Sequence, residues 1–246
     1  MNKIGLLGGM SWESTVEYYR IINEEVRKRT SPQSSAKIIL NSMNFQEIAD
    51  LQHAGKWNEL YEMMAEAALE LEEAGAKSIF ICTNLMHKSV PTIEQKISIP
   101  VIHIVDALAK QVKLDGFLKI GLLGAIYTME HDFYMKRLEE KHNIEVIVPE
   151  KADRDLVSEI IYKELCCGIF SEKSRKEYLR VIDKLIEKGA QGIALACTEI
   201  PLLVKNGEAA IPLYETTYLH AMAAVDEILH ETDFNHQGIY QKEMQL

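Results

Sequence analysis

Lys3-Ile4-Gly5-Leu6-Leu7-Gly8 and Lys119-Ile120-Gly121-Leu122-Leu123-Gly124 are one hexapeptide written twice, 116 residues apart. Each is a short apolar run ending in glycine, the pattern of a buried strand handing the chain to a turn. A polar turn and a helix with aromatic residues follow both copies, at 12–29 and at 127–141. A second phrase also repeats. Glu73-Ala74-Gly75-Ala76-Lys77-Ser78-Ile79 and Glu187-Lys188-Gly189-Ala190-Gln191-Gly192-Ile193 each stop a helix on glycine and open a strand. The strands they open end at Thr83-Asn84 and Cys197-Thr198, 114 residues apart.

Between these anchors the pattern predicts strands at 36–43, 100–104, 143–148 and 212–214. Helices are predicted at 58–74, 90–96, 106–114, 154–166, 172–188 and 216–230, with a polar tail to Leu246. Strands alternating with helices imply parallel sheets covered on both faces. The expected fold is therefore α/β, with two similar, pseudo-symmetric domains, each a parallel sheet flanked by helices. Residues 1–103 with 213–246 are the expected N-terminal-half domain, and residues 104–212 the C-terminal-half domain. Sites in such sheets lie beyond the carboxyl ends of the strands. The expected active site is thus a cleft between the halves, with Thr83-Asn84 and Cys197-Thr198 on opposite walls. That geometry suits chemistry on both faces of a planar intermediate, whereas two merely duplicated domains would leave only a groove.

The chain has 246 residues, 47% hydrophobic and 26% charged, the balance of a globular protein with a sizeable core. A formal net charge of -10 argues against a nucleic-acid backbone or an anionic membrane as partner. No apolar run approaches about 18 residues, so no membrane span is expected. The four cysteines, Cys82, Cys166, Cys167 and Cys197, form no CxxC pair and fit a reducing, cytoplasmic setting. The histidines give no metal-ligand spacing, so no metal is expected. Gly5-x-x-Gly8-Gly9 is neither GxGxxG nor a P-loop, although helix N-terminal amides after the Met10-Ser11 turn favour an anion.

Ile193-Ala194-Leu195-Ala196-Cys197-Thr198-Glu199-Ile200-Pro201 is the chemically loaded stretch, because an apolar strand ends in a thiol, a hydroxyl and a carboxylate. It reads either as a strand delivering a nucleophile or base to the sheet edge, or as a strand that buries a core cysteine. Together, Gly8-Gly9-Met10-Ser11-Trp12-Glu13-Ser14, Cys82-Thr83-Asn84-Leu85-Met86-His87 and Ala196-Cys197-Thr198-Glu199-Ile200-Pro201 resemble the aspartate/glutamate racemase family. The resemblance spans Lys3 to about Leu229 and is closest to the L-aspartate/L-glutamate branch that carries a Thr/Cys pair.

The resemblance implies a racemase that interconverts L- and D-amino acids without pyridoxal phosphate or any other cofactor. It also implies a small acidic amino acid as partner and a homodimeric assembly. In that family one thiolate takes the α-proton and a second thiol returns one to the opposite face. The chemistry needs a tuned thiolate and fixed donors on the substrate carboxylate. Here the resemblance makes Thr83 and Cys197 the catalytic pair. It makes Met10, Ser11, Gln52, Asn84, Leu85, Thr198 and Glu199 the substrate-binding residues, with Gln52 on the loop after the second strand.

The sequence departs from the two-cysteine pattern, since Thr83 stands where the first catalytic cysteine would be and Leu85 replaces a threonine. Cys82 is adjacent, but strand alternation turns it toward the core. A lysine that reads the substrate's side-chain carboxylate in some members is replaced by Cys166, and Lys163 lies one turn away. His87 is expected to fix its turn. The implied reaction is an asymmetric racemisation of aspartate, glutamate or both. The alternatives are a cofactor-free decarboxylase or isomerase using Cys197 alone, and a non-catalytic binder of acidic amino acids.

Overall fold

The structure is a computed structural model that describes residues 1–229. His230 and the expected polar tail to Leu246 lie outside the described residues. The chain divides into two compact units, the first comprising Met1–Cys82, Ser89–Ile102 and the residues from Ala221, the second Thr83–Lys88 and His103–His220.

In the first unit, β1 (Lys3–Gly8), α1 (Trp12–Arg29), β2 (Lys37–Ser42), α2 (Phe45–His53), α3 (Trp57–Glu73), β3 (Ile79–Ile81) and α4 (Val90–Lys96) follow in order. The sheet is parallel in the order β2-β1-β3, with Lys3 opposite Lys37 and Gly5 opposite Ile79. Ser11 caps α1 by accepting from the Ser14 amide, and Thr15, Tyr18, Ile22 and Val26 recur at helical spacing on its buried face. Tyr18, Ile22 and Val26 pack against Ile4, Leu6, Phe80, Cys82 and the apolar residues that begin at Ala221. Cys82 is fully buried there, as strand alternation requires. The strand expected at 100–104 shrinks to one bridge, Ile79 to Val101, because His103 already caps the next helix.

In the second unit, α5 (Ile104–Leu114), β4 (Lys119–Gly124), α6 (Ile126–Glu130), α7 (Asp132–Lys136), β5 (Glu145–Ile147), α8 (Lys151–Lys163), α9 (Glu172–Glu187), β6 (Ile193–Ala196), α10 (Ile200–Leu203), β7 (Leu213–Glu215) and the start of α11 (Thr216–Leu229) follow. The sheet is again parallel, β5-β4-β6-β7, so both units set the repeated hexapeptide as the central strand of the same local order. Gly75 and Gly189 share a φ of 91°, closing α3 and α9 by the same left-handed stop. One layer against this sheet joins Val157, Ile161, Tyr178, Ile182 and Ile193, and the other joins Ile104, Leu108, Ile120, Tyr134 and Ala194.

Three expectations are corrected. Residues 213–220 belong with the second unit because β7 pairs with β6, and Thr83–Lys88 also cluster there rather than with 1–103. The single helix expected at 127–141 is broken at His131, whose φ and ψ are -86° and 137°, and ends in a π-helical turn, Arg137–Lys141. That wider turn brings Arg137, Lys141 and the following His142 to the one carboxylate of Asp106, at 2.7–2.8 Å. Gln52 lies inside α2, capped by Asn44, and not on a loop.

Candidate active site

β6 is buried along its length, and Cys197 is the first residue beyond its carboxyl end to reach partial exposure. The chain then turns into α10 with Pro201 in its first turn, where the missing amide proton costs no hydrogen bond. The Cys197 Sγ donates to Glu199 Oε2 at 2.9 Å, and Thr198 Oγ1 donates to the same oxygen at 2.7 Å. Burial pushes the Cys197 thiol well above its ordinary value. The Glu199 charge and its hydrogen bond add to this, while a backbone bond at Glu199 opposes it. The resting sulfur is therefore a neutral thiol held by a carboxylate.

Thr83 follows β3 and is half-buried; among the described residues its hydroxyl makes no hydrogen bond. Its carbonyl accepts from His87 Nδ1 at 2.8 Å, and His87 Nε2 accepts from the Ile104 amide at 3.1 Å. The carbonyl can only accept and the amide can only donate, which fixes the ring as the neutral Nδ1-H tautomer. His87 is buried 4.5 Å from the His103 ring and 5.4 Å from that of His220, centroid to centroid. Burial, and then those two neighbours, hold its proton affinity well below the ordinary imidazole value. Both nitrogens are committed and the ring resists a second proton, so His87 fixes the turn.

Asn84 is buried, and its Nδ2 donates to Thr216 Oγ1 at 3.2 Å. Leu85 is half-buried and opens a 3-10 turn that runs to Ser89, in which Lys88 Nζ lies 2.7 Å from His131 Nδ1.

Tyr162 on α8 was not picked out by spacing. Burial first, and then the charges of Cys197, Cys166, Tyr127 and Glu199, together raise its hydroxyl to about 12, so these acidic groups share one neighbourhood. Cys166 stands exposed in the short 3-10 turn after α8, whereas the Lys163 side chain pairs with Glu159 on the helix surface. The structure thus brings Thr83, Asn84, Leu85, Cys197, Thr198 and Glu199 into one unit.

Met10, Ser11 and Gln52 belong to the other unit. There Met10 is buried, and Ser11 is committed to capping α1. Gly9, at φ 84°, passes so close to Met43 that a Cβ would lie 2.1 Å from its carbonyl oxygen, which is why glycine precedes this turn. Gln52 is half-buried in α2. Among the described residues no three His, Cys, Asp or Glu side chains converge as metal ligands would, and no helix is long and apolar enough to cross a membrane.

The chain is 52% identical to a Yersinia pestis protein provisionally assigned as an Asp/Glu racemase, over 93% of this chain and 100% of that one, with a TM-score of 0.90. It is 33% identical to an aspartate racemase homologue from Pyrococcus horikoshii OT3, over 93% and 99% of the two chains, with a TM-score of 0.83. It is 22% identical to a broad specificity amino-acid racemase from Bacillus subtilis (strain 168), over 70% of this chain and 74% of that protein. With the Asp/Glu/Hydantoin racemase family model matching residues 7–224, the chain belongs to the Asp/Glu/hydantoin racemase family.

Proposed function

We propose that the protein racemises aspartate, glutamate or both without pyridoxal phosphate, exchanging the Cα proton between a thiol face and a hydroxyl face. The observation that carries this reading is the Cys197–Glu199 pair at 2.9 Å, in the same unit as an unpaired Thr83 hydroxyl. For the enantiomer whose Cα–H faces Cys197, the Sγ proton passes to Glu199 and the thiolate takes the α-proton. The electron pair of the broken C–H bond spreads into the substrate carboxylate. The Asn84 amide and the Thr198 hydroxyl are the donors for that charge. A proton then reaches the opposite face from the Thr83 side, relayed through water, since a threonine hydroxyl is itself a poor acid and base, and Glu199 releases the proton it took to solvent, replacing the one drawn from water. The reverse reaction uses Cys197 as the acid, the state in which burial and Glu199 already hold it. Met10, Ser11 and Gln52 complete the proposed substrate contacts, Leu85 shapes the side-chain end, and the working assembly is a cytoplasmic homodimer.

The test is incubation with L- and D-aspartate and L- and D-glutamate in heavy water, following deuterium at Cα and the enantiomer ratio. Exchange from both enantiomers with inversion supports the racemase. Exchange from one enantiomer without inverted product supports a one-sided Cys197 base, and binding without exchange supports a binder. Cys197→Ser is expected to abolish exchange; an unchanged rate in that variant refutes the mechanism.

A further inference from the structure

Two hydrogen bonds join the reactive turns inside the second unit, and both pass through one hydroxyl. Asn84 Nδ2 donates to Thr216 Oγ1 at 3.2 Å, and Thr216 Oγ1 donates to the Leu195 carbonyl at 3.0 Å. The Asn84 Oδ1 is farther from the hydroxyl, at 3.3 Å, so its single proton goes to Leu195 while it accepts from the amide. Asn84 is one residue after Thr83, and Leu195 is two residues before Cys197. The bridge therefore runs from the turn that carries Thr83 to the strand that leads to Cys197.

Thr216 is well placed to act as a fixed post. It is fully buried at the first position of α11, immediately after β7, whose Glu215 is registered opposite Leu195 in the sheet. The His87 ring ties the Thr83 turn to the start of α5 and does not reach β6. The strand that carries Cys197 is thus tied to the Thr83 turn through Thr216.

We propose that Thr216 is a positioning residue that holds the Thr83 turn and the Cys197 strand at the separation two-faced proton transfer needs. The inference rests on the racemase reading. Thr216 touches no reacting atom in this scheme; it sets where the two proton carriers stand. Misplacement by about 1 Å costs on the order of a hundredfold when two groups must meet one carbon. Abstraction at Cys197 needs only one of them. Loss of the bridge should therefore uncouple removal of the α-proton from its return to the opposite face.

The experiment uses the full chain and its Thr216→Val and Thr216→Ser variants in heavy water. It starts from the enantiomer that Cys197 deprotonates and measures exchange with retention against inversion. Valine keeps the shape and loses the hydroxyl, whereas serine keeps the hydroxyl. In Thr216→Val, inversion is expected to fall about tenfold or more relative to exchange, and Thr216→Ser should restore the ratio to within about twofold. The ratio does not depend on how much of the variant folds, so a simple loss of stability leaves it unmoved. A parental ratio in Thr216→Val overturns the proposal, as does failure of serine to restore it. If Thr216→Val gives no soluble protein, Thr216→Ala is read by the same ratio, and a parental value there overturns it equally. A parent enzyme that neither exchanges nor inverts defeats the racemase reading itself, before any variant is compared.

Discussion

His103→Asn should make the fold less sensitive to acid. His103 caps α5, its Nδ1 accepting from the Val105 amide at 3.1 Å, and it is buried beside His87. Burial lowers its pKa to about 2, with the Arg137 charge adding and Asp106 opposing; His87 is also held well below the ordinary value. Both imidazoles stay neutral in the folded chain, whereas an unfolded chain protonates them below about 6.5. The unfolded state then binds more protons, so their contribution is present above about pH 6.5 and is lost as pH falls. Each proton taken up on unfolding steepens the loss by about 1.4 kcal/mol per pH unit, so the two rings together account for about 2.7 kcal/mol per unit near pH 5. Asp106 has its own acid-labile contribution, because hydrogen bonds from Arg137, Lys141 and His142 together outweigh the cost of burying it. Its window begins near the unfolded carboxylate value of about 3.9, below that of the histidines. Asparagine is a good N-cap and does not titrate, so His103→Asn keeps the amide bond and removes one proton from the balance. Urea unfolding followed by circular dichroism between about pH 7.5 and 4.5 should give the variant a slope about 1.4 kcal/mol per unit shallower than the parent's. Parallel slopes would refute the claim that a buried neutral His103 contributes to acid unfolding.

Three further outcomes follow from the site. Glu199→Gln removes the acceptor for the Cys197 proton, and the α-proton exchange rate should fall by about a hundredfold or more with little change in KM; equal exchange removes Glu199 from the proton path. Thr83→Cys places a thiol on the weak face, and turnover of the enantiomer deprotonated from that face should rise about tenfold, measured by chiral chromatography; no gain shows that this face is not limiting. Because burial and Glu199 keep Cys197 protonated, its alkylation by iodoacetamide, read by peptide mass spectrometry, should still be accelerating above about pH 9; a plateau below about pH 8 contradicts the buried, carboxylate-held thiol.

The sequence exposed what local pattern encodes. Glycine-ended apolar hexapeptides at Lys3 and Lys119 announced two central strands, and the Gly75 and Gly189 stops announced the strands that end at Thr83 and Cys197. The neighbour relation of Cys197 and Glu199 was legible for the same reason, since two residues of spacing across a strand end leave them little freedom. What escaped was set by partners distant in sequence. Thr216 meets Asn84 across 132 residues, so no spacing rule could select it. The break at His131 and the wider turn at 137–141 occur in a run whose periodicity reads as one helix; His131 meets Lys88, and Asp106 gathers Arg137, Lys141 and His142, all partners distant in sequence. The loop position of Gln52 came from the resemblance alone, whereas here Asn44 caps α2 directly after the second strand and carries Gln52 into a helix.

Laying one copy of the repeat on the other sharpens the asymmetry. At an offset of 114, Cys82 falls on Ala196, Thr83 on Cys197, Asn84 on Thr198 and Leu85 on Glu199. One turn therefore pairs a thiol with a carboxylate, while the other sets a hydroxyl beside a leucine, with neither thiol nor carboxylate in those two places. Cys82 cannot compensate, since alternation along the strand seals it in the core, where burial raises its thiol far above the usual range. His87 cannot either, because its two nitrogens are spent on the Thr83 carbonyl and the Ile104 amide. The turn without that pair is held by His87 on one side and by Asn84 and Thr216 on the other. On the proposed mechanism, a hydroxyl that guides a water-borne proton acts through its placement alone, since it supplies no proton of its own. The bonds from His87, Asn84 and Thr216 would supply that placement.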